Sequence, residues 1–226
     1  MSALLFKLKK QPEGRLDLRA LTPDKLEGLS LTEIAELRLS TSQHHPQVAD
    51  YLDVSGENNG KIVFEGDCSR CDYLGASMRR GQITVHGNTG DFTGANMLGG
   101  MLICQGNVGD RLADNMRRGL ILVDGDAGSY AASRMVAGTV GIYGKVGDRL
   151  GYMMKRGTVL LTQPPQLQST MVDCGVHQLG FLSLLLRSFA TLETRFSSLK
   201  PQPVHKYAGD VGVNGKSEIL LFSQTS

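Results

Sequence analysis

A glycine recurs every 19 residues along the middle of this chain, and this spacing limits the possible folds more than any other feature. The leading glycines are Gly81, Gly100, Gly119, Gly138 and Gly157. Methionines keep the same step from Met78 to Met154, and two further glycine rows start at Gly87 and Gly90. Self-similarity at a fixed period is the signature of repeat architectures, in which each unit stacks on the next. The sequence therefore predicts a stack of nearly identical units.

Each repeat contains one short segment with the pattern of a β-strand. The second and fourth residues after the leading glycine are apolar, most of them are β-branched, and they alternate with their neighbours. These pairs are Ile62 and Phe64, Ile83 and Val85, Leu102 and Cys104, Ile121 and Val123, Val140 and Ile142, and Val159 and Leu161. One face of every strand is therefore expected to point into a core.

The length of the repeat decides how the strands are expected to pair. Nineteen residues are too few for a strand–helix–strand crossover, which needs about 30 residues. Equivalent strands should then stack in parallel, with a rise of about 4.8 Å per unit. We predict an all-β fold: a right-handed parallel β-helix of about six coils, a glycine-rich (GXGXG) solenoid.

The corners of the predicted coils explain the glycines. A tight corner needs a positive φ or a close backbone approach that a Cβ atom would block. The residues after the second glycine row, Asp67, Asn88, Asn107 and Asp126, also tolerate left-handed backbone. The methionine row is expected to fill irregular core space beside the small residues.

The chain divides into three predicted parts. Residues 1–59 form an N-terminal cap, with a strand at Leu4–Leu8 and a helix that Thr32 caps. Residues 60–163 form the coils. Residues 164–226 contain an amphipathic helix within 176–196 and a strand at 219–222 that pack on the solenoid. Such flanks are expected to cover the open strand edges of a solenoid.

Charge and composition exclude some classes of function. The 24 basic and 22 acidic residues leave a net charge of +2, which offers no basis for nucleic-acid binding. No stretch reaches the roughly 18 apolar residues of a membrane span. Four cysteines without a secretory signal favour the reducing cytoplasm.

No catalytic, cofactor-binding or metal-binding residue is predicted. His86 is the only histidine within the coils, so the three-histidine zinc site of a β-helical carbonic anhydrase is not expected. The six-residue subperiod of hexapeptide acyltransferases and a nucleophile elbow are not found in the sequence. Cys68 and Cys71 form a C-x-x-C motif, which we interpret as lining an inserted loop rather than holding a metal.

Two surface features are candidate partner contacts. Outward strand positions, chiefly Ile103, Leu120 and Leu122, form an apolar strip that either lies under the chain's own termini or docks another polypeptide. Basic pairs recur in alternate coils: Arg79 and Arg80, Arg117 and Arg118, and Lys155 and Arg156. This basic row is either a solvated edge that discourages aggregation or a contact for an acidic partner surface or an acidic carrier tail.

The coils resemble the GXGXG domain at the C-terminus of the glutamate synthase large subunit. They are more similar to the C subunits of formylmethanofuran dehydrogenase and of the related formyltransferase/hydrolase complex. Three flanking segments carry this resemblance: LTPDKLEGLSLTEIAELRL at residues 21–39, YLDVSG at 51–56 and YAGDVGVNGKSEILL at 207–221.

The resemblance implies a non-catalytic scaffold within an enzyme complex of one-carbon metabolism. Its partners would be amidohydrolase-like and formyltransferase subunits. A methanofuran-type carrier, and a molybdenum or tungsten pterin where CO2 is reduced, would be bound by other subunits. Two alternatives stay open: a stand-alone glutamate-synthase-type domain, and an independent β-helical enzyme such as an acyltransferase.

Overall fold

The computed structural model describes residues 3–40, 45–58 and 60–223. The strands in these ranges are β1 (Leu4–Leu8), β2 (Leu16–Asp17), β3 (Leu52–Ser55), β4 (Lys61–Glu65), β5 (Cys71–Asp72), β6 (Gln82–His86), β7 (Met101–Cys104), β8 (Leu120–Val123), β9 (Thr139–Ile142), β10 (Arg156–Leu161), β11 (Val172–His177), β12 (Val204–Gly209) and β13 (Lys216–Phe222). The helices are α1 (Pro23–Leu26), α2 (Leu31–Glu36), α3 (Val48–Tyr51) and α4 (Phe181–Phe189), with a 3-10 turn at Arg195–Ser198.

Eleven of these strands form one sheet, in the order β11-β12-β13-β10-β9-β8-β7-β6-β4-β1-β3. Neighbouring strands pair in parallel along the run β1-β4-β6-β7-β8-β9-β10-β13. The sheet turns antiparallel at both ends, where β3 pairs with β1 and where β11 and β12 follow β13. A second, two-stranded parallel sheet joins β2 to β5.

The predicted all-β, right-handed parallel β-helix is therefore wrong. The described chain forms a large mixed sheet, mostly parallel, with four α-helices, and not a closed solenoid. Only one segment of each repeat extends into a strand of several residues. The remainder consists of turns joined by single bridges, such as Thr89 to Val108 and Val108 to Ala127. Positive φ at alternate positions, for example Tyr73, Gly75 and Ser77, keeps that remainder from forming a second continuous strand.

The 19-residue register itself is confirmed. Met101 pairs with Leu120, and Leu120 pairs with Thr139, so equivalent residues of successive repeats lie side by side. All the predicted inward strand residues are buried, from Ile62 and Phe64 to Val159 and Leu161. The five methionines of the repeat are fully buried too. The main core therefore runs along one face of the sheet.

The leading glycines have the geometry of the turn role predicted for them. Their φ values run from +82° at Gly100 to +113° at Gly138, in the left-handed region that favours glycine. A Cβ atom on Gly119 would lie 2.8 Å from both the carbonyl oxygen of Gly100 and Cε of Met97. The buried methionine of one repeat thus occupies the space that a side chain would need in the next.

The Asn and Asp row after the second glycine row has a different role from the one predicted. In the described chain these residues do not have positive φ. From Asn88 onward their side chains instead accept hydrogen bonds from the backbone of the next repeat: Asn88 Oδ1 from the N–H of Asn107, and Asn107 Oδ1 from that of Asp126, both at 2.8 Å. The glycine that precedes each donor residue leaves room for this contact. A Cβ on Gly106, which precedes Asn107, would lie 2.6 Å from Asn88 Oδ1.

The flanks confirm the predicted strand at Leu4–Leu8 and correct the predicted helices. Ser30, not Thr32, caps α2, because Glu33 completes a capping box with Ser30. The amphipathic stretch predicted within 176–196 divides into part of β11, α4 and the 3-10 turn. The predicted tail strand is confirmed within β13, which pairs in parallel with β10. The division of the chain at residues 59 and 163 stays a prediction.

Candidate docking surfaces

Residues 179–199, here called the C-terminal cover, lie on the outward face of the sheet. Leu182, Leu186 and Phe189 of α4 and Phe196 of the 3-10 turn are buried against Leu122, Leu160 and Leu220 of the strands. Helix α4 presents one apolar side to the sheet because these residues recur at helical spacing. The cover therefore gives the C-terminal part of the chain a second, smaller hydrophobic core.

This arrangement decides between the two interpretations of the apolar strip. Leu122 is fully buried beneath the cover, and Leu120 is partly buried and packs against the same cluster. Ile103, which pairs with Leu122 in the neighbouring strand, is 1% exposed. These positions lie within the chain itself, so the prediction of Ile103 and Leu122 as partner contacts is corrected.

One buried carboxylate holds the cover to the sheet. Asp124 follows β8 directly, and its side chain accepts hydrogen bonds from Oγ1 of Thr194 at 2.5 Å and from the N–H of Arg195 at 2.9 Å. The Arg195 guanidinium lies 3.8 Å from the ring centre of Tyr143, the next residue in the same 19-residue row. Thr194 and Arg195 are thereby held over the ends of β8 and β9.

The basic row lies on the surface, and its members have different surroundings. All six side chains are exposed. Arg80 forms an ion pair with Glu27 of the N-terminal flank, and the backbone N–H of Arg79 donates to Asp24 at 3.1 Å. The side chains of Arg117 and Arg118 make no polar contact within the described part of the chain. The side chains of Lys155 and Arg156 likewise make no polar contact among the described residues, so the middle and last pairs are both open to an acidic partner.

Exposed apolar side chains that sequence reasoning missed lie on β11, the last strand of the sheet, and on α4, which follows it in the chain. Val176 and Leu184 are 68% and 69% exposed, and Val172 and Phe181 are nearly half exposed. Because β11 is the last strand of the sheet, no described strand pairs with its outer edge, which is open to pair with another polypeptide. We call these four side chains the apolar end surface. The signal was present in the sequence, since residues 179–186 are apolar on more than one side of a helix.

The cysteines of the C-x-x-C motif are part of the core. Cys68 and Cys71 are fully buried, and the Cys71 N–H donates to the Cys68 carbonyl at 2.8 Å, which closes a turn. A hydrogen bond to the Cys68 thiol, together with burial, raises the pKa of Cys71. Burial raises the pKa of Cys104 to about 11. The thiols of Cys71 and Cys104 are therefore protonated at neutral pH, which disfavours metal ligation and nucleophilic attack.

Metal-binding clusters and membrane-spanning helices are both absent from the described residues. Among residues 3–40, 45–58 and 60–223, no group of three or more His, Cys, Asp or Glu side chains could hold a metal ion. No helix in the same ranges is long and apolar enough to cross a membrane.

Comparison with known proteins gives relatives of one kind, although no family model matches the chain. The chain is 33% identical over 85 residues to the C subunit of the formyltransferase/hydrolase complex Fhc of Methylorubrum extorquens, which covers 38% of this chain and 32% of that protein. It is 31% identical over 93 residues to the C subunit of the tungsten-containing formylmethanofuran dehydrogenase 2 of Methanothermobacter wolfeii, covering 39% of this chain and 34% of that protein. The matched segments thus span about a third of these curated relatives.

A solved structure matches over nearly the whole chain. It is the crystal structure of the formyltransferase/hydrolase complex (FhcABCD) of Methylorubrum extorquens, in complex with methylofuran. The likeness covers 96% of this chain and 98% of the chain in that structure, with a TM-score of 0.72 and 30% sequence identity. The similarity therefore includes both flanks as well as the repeats.

Proposed function

The chain belongs to the family of C subunits of formyltransferase/hydrolase and formylmethanofuran dehydrogenase complexes, and we propose that it is a non-catalytic scaffold on which the catalytic subunits of such a complex assemble. The proposed partners are an amidohydrolase-like subunit and a formyltransferase subunit. A methanofuran-type carrier, and a molybdenum or tungsten pterin where CO2 is reduced, would be bound by those partners and not by this chain. A cytoplasmic location is part of the proposal.

The full-length structural match carries this proposal. A likeness confined to glycine-rich repeats would fit many stacked-repeat proteins, but this one extends to both ends of the chain at 30% identity. The matching chain is a component of a multi-subunit assembly. The core of the present chain supports a structural role too, because its repeat positions are filled by tightly packed apolar side chains.

Two surfaces of the chain are suited to bind companion subunits. The apolar end surface combines exposed Val, Phe and Leu side chains with a free strand edge, and apolar patches of this kind mark protein interfaces. Arg117 and Arg118 add an exposed positive charge to another part of the surface, where it would steer an acidic partner. The buried apolar strip beneath the C-terminal cover would instead maintain the shape of the sheet.

Purification of the chain from its native cells tests the proposal. A tagged full-length chain should co-elute with amidohydrolase-like and formyltransferase polypeptides, identified by mass spectrometry, in a fixed stoichiometry. The molybdenum and tungsten content of the eluate would distinguish a CO2-reducing complex from one that only transfers and hydrolyses formyl groups. A chain that elutes alone and turns over a substrate by itself would overturn the proposal.

A further inference from the structure

A groove lies between the ends of β9 and β10 and the segment that follows the 3-10 turn. Its volume is about 880 Å³, within the range of ligand-binding clefts. Tyr143, Lys145 and Gln163 line the side formed by the repeats, and Arg195, Lys200 and Gln202 line the opposite side. The end of the C-terminal cover, the residues that follow it and the end of β13 form the rest of the groove.

The 19-residue pattern changes at this groove. In three earlier repeats the residue after the second-row glycine is Asn88, Asn107 or Asp126, and its side-chain oxygen accepts a backbone N–H of the next repeat. The equivalent residue after Gly144 is Lys145, which has no oxygen to accept such a bond. The residue 19 positions later is Pro164, which has no N–H to donate, so the Lys145 side chain is not needed as an acceptor and is left to line the groove.

The charges that line the groove are mainly positive. Lys145, Arg195 and Lys200 are exposed, and none of them forms an ion pair within the described residues. The carboxylate of Asp126 also lines the groove, with its Oδ1 engaged by the N–H of Lys145 at 2.7 Å. The groove is therefore lined by three cationic side chains and one carboxylate.

The Arg195 guanidinium is held in place. It lies over the Tyr143 ring at 3.8 Å, and its Nη1 donates to the carbonyl oxygen of Asp124 at 3.3 Å. A guanidinium that is already ordered loses less conformational freedom when it binds a carboxylate, and its remaining N–H groups suit that geometry. Gln163 adds a neutral amide group that matches a peptide backbone, and Gln202, whose Nε2 already donates to the Ser223 carbonyl oxygen at 3.1 Å, adds an acceptor oxygen.

We propose that this groove binds an extended, carboxylate-bearing segment of a partner polypeptide. The inference rests on the proposed function, because a companion polypeptide of the complex would supply that segment. The cations would pair with its acidic side chains, and the amide groups of Gln163 and Gln202 would bond to its backbone. This contact is separate from the apolar end surface and from the basic row.

A binding measurement on the purified full-length chain tests the inference directly. The probe is a fluorescein-labelled octapeptide of alternating aspartate and glycine, followed by fluorescence anisotropy at low and at physiological salt. The same peptide with asparagine in place of aspartate is the neutral probe. The wild-type chain should bind the acidic probe at least about tenfold more tightly than the neutral one, and the difference should shrink as salt rises.

Matched variants locate the site. Lys145→Glu with Lys200→Glu should weaken binding of the acidic probe by about tenfold or more. Lys7→Glu with Lys10→Glu makes the same change of net charge in the N-terminal flank, outside the groove, and should leave binding within about twofold. Thermal unfolding of each variant checks that it is folded. Equal weakening by both variants, or wild-type binding that does not distinguish the two probes, would overturn the inference.

This outcome is independent of the test of the proposed function. Partners that fail to co-elute with the native chain would reject the scaffold role, whatever the peptide does. Co-elution together with a groove that does not bind the acidic probe would reject only the groove.

Discussion

The side chain of Asp124 accepts a hydrogen bond of 2.5 Å from Oγ1 of Thr194, a residue 70 positions later in the chain. The same carboxylate oxygen accepts the N–H of Arg195. Asp124 is 7% exposed, so both donors are satisfied away from water. This residue therefore links the repeated part of the chain to the C-terminal cover, and through Arg195 it also shapes the cationic groove.

Removing this carboxylate should loosen the cover. Asp124→Ala leaves the Thr194 hydroxyl and the Arg195 N–H without an acceptor, which should cost about 1–3 kcal/mol of unfolding free energy. Urea denaturation measures the loss, and hydrogen exchange should show faster exchange in α4 and the 3-10 turn. Asp148→Ala, at an exposed position of a neighbouring repeat, is the control and should change stability by less than about 0.5 kcal/mol. Equal effects of the two substitutions would contradict this role of Asp124.

The leading glycines should not tolerate even a methyl group. Gly119→Ala places a Cβ where the Gly100 oxygen and Met97 Cε lie 2.8 Å away, at a φ of +111°. We expect a loss of about 1–3 kcal/mol in unfolding free energy, because both packing and backbone must adjust. Gly180→Ala is the matched control, since nothing lies within 4 Å of its Cβ position. Chemical denaturation of the two variants compares them, and a stable G119A variant would argue against this packing.

The hydrogen bonds from the side chains of one repeat to the backbone of the next should be detectable as hydrogen-exchange protection of one backbone amide. Asn107 Oδ1 accepts the N–H of Asp126, so Asn107→Ala should expose that amide and cost about 0.5–1.5 kcal/mol. Asn107→Asp keeps an acceptor oxygen and should retain most of the protection. Hydrogen exchange at Asp126, read by NMR, distinguishes the two substitutions. Unchanged protection in N107A would mean that these hydrogen bonds do not stabilise the stacking of the repeats.

The exposed middle of the basic row should contribute to assembly. Reversing charge with Arg117→Glu and Arg118→Glu should reduce the recovery of companion subunits several-fold in a pull-down from native cells, through weaker attraction of an acidic surface. Lys7→Glu with Lys10→Glu makes the same charge change in the N-terminal flank and is the control. If recovery and turnover are the same for both double variants, the basic row is only a solvated edge.

The apolar end surface should matter for assembly but not for folding. Val176→Lys with Leu184→Lys alters two side chains that are about two-thirds exposed, so we expect a stability change within about 0.5 kcal/mol. The recovery of companion subunits should fall several-fold, because charge would be buried at the interface. Leu182→Lys, which alters a buried residue of the same helix, should instead destabilise the cover. Full recovery of partners by the V176K/L184K variant would exclude this surface as a contact.

The sequence pattern was enough to predict the strand pairing, the buried residues and the turn glycines of the repeated region. The pairing of Met101 with Leu120, the burial of Met97 and Met116, and the positive φ of Gly119 all follow from the 19-residue period. The flanking segments indicated the family. The predicted closed β-helix failed because a period states which residues are equivalent, but not how much of each repeat extends into strand.

The candidate sites were harder to predict. The basic row was located correctly on the surface, since a pair such as Arg117 and Arg118 is exposed almost wherever it lies in a folded chain. Whether Leu122 lay at the surface could not be decided, because that depends on where α4 packs. The groove was missed because Lys145 and Lys200 are distant in sequence and no repeat relates them.

The register, the inward faces and the rows of glycine could be predicted from the amino-acid pattern, because each depends on contacts between residues 19 apart that every repeat makes again. The fold in three dimensions was needed to see that β13 completes the parallel part of the sheet, that the cover buries Leu122, and that Arg195 lies over Tyr143. These contacts join segments about 50 to 75 residues apart. Each of these contacts occurs once, so no repeated sequence pattern predicts it. It forms because the folded backbone brings the two surfaces together.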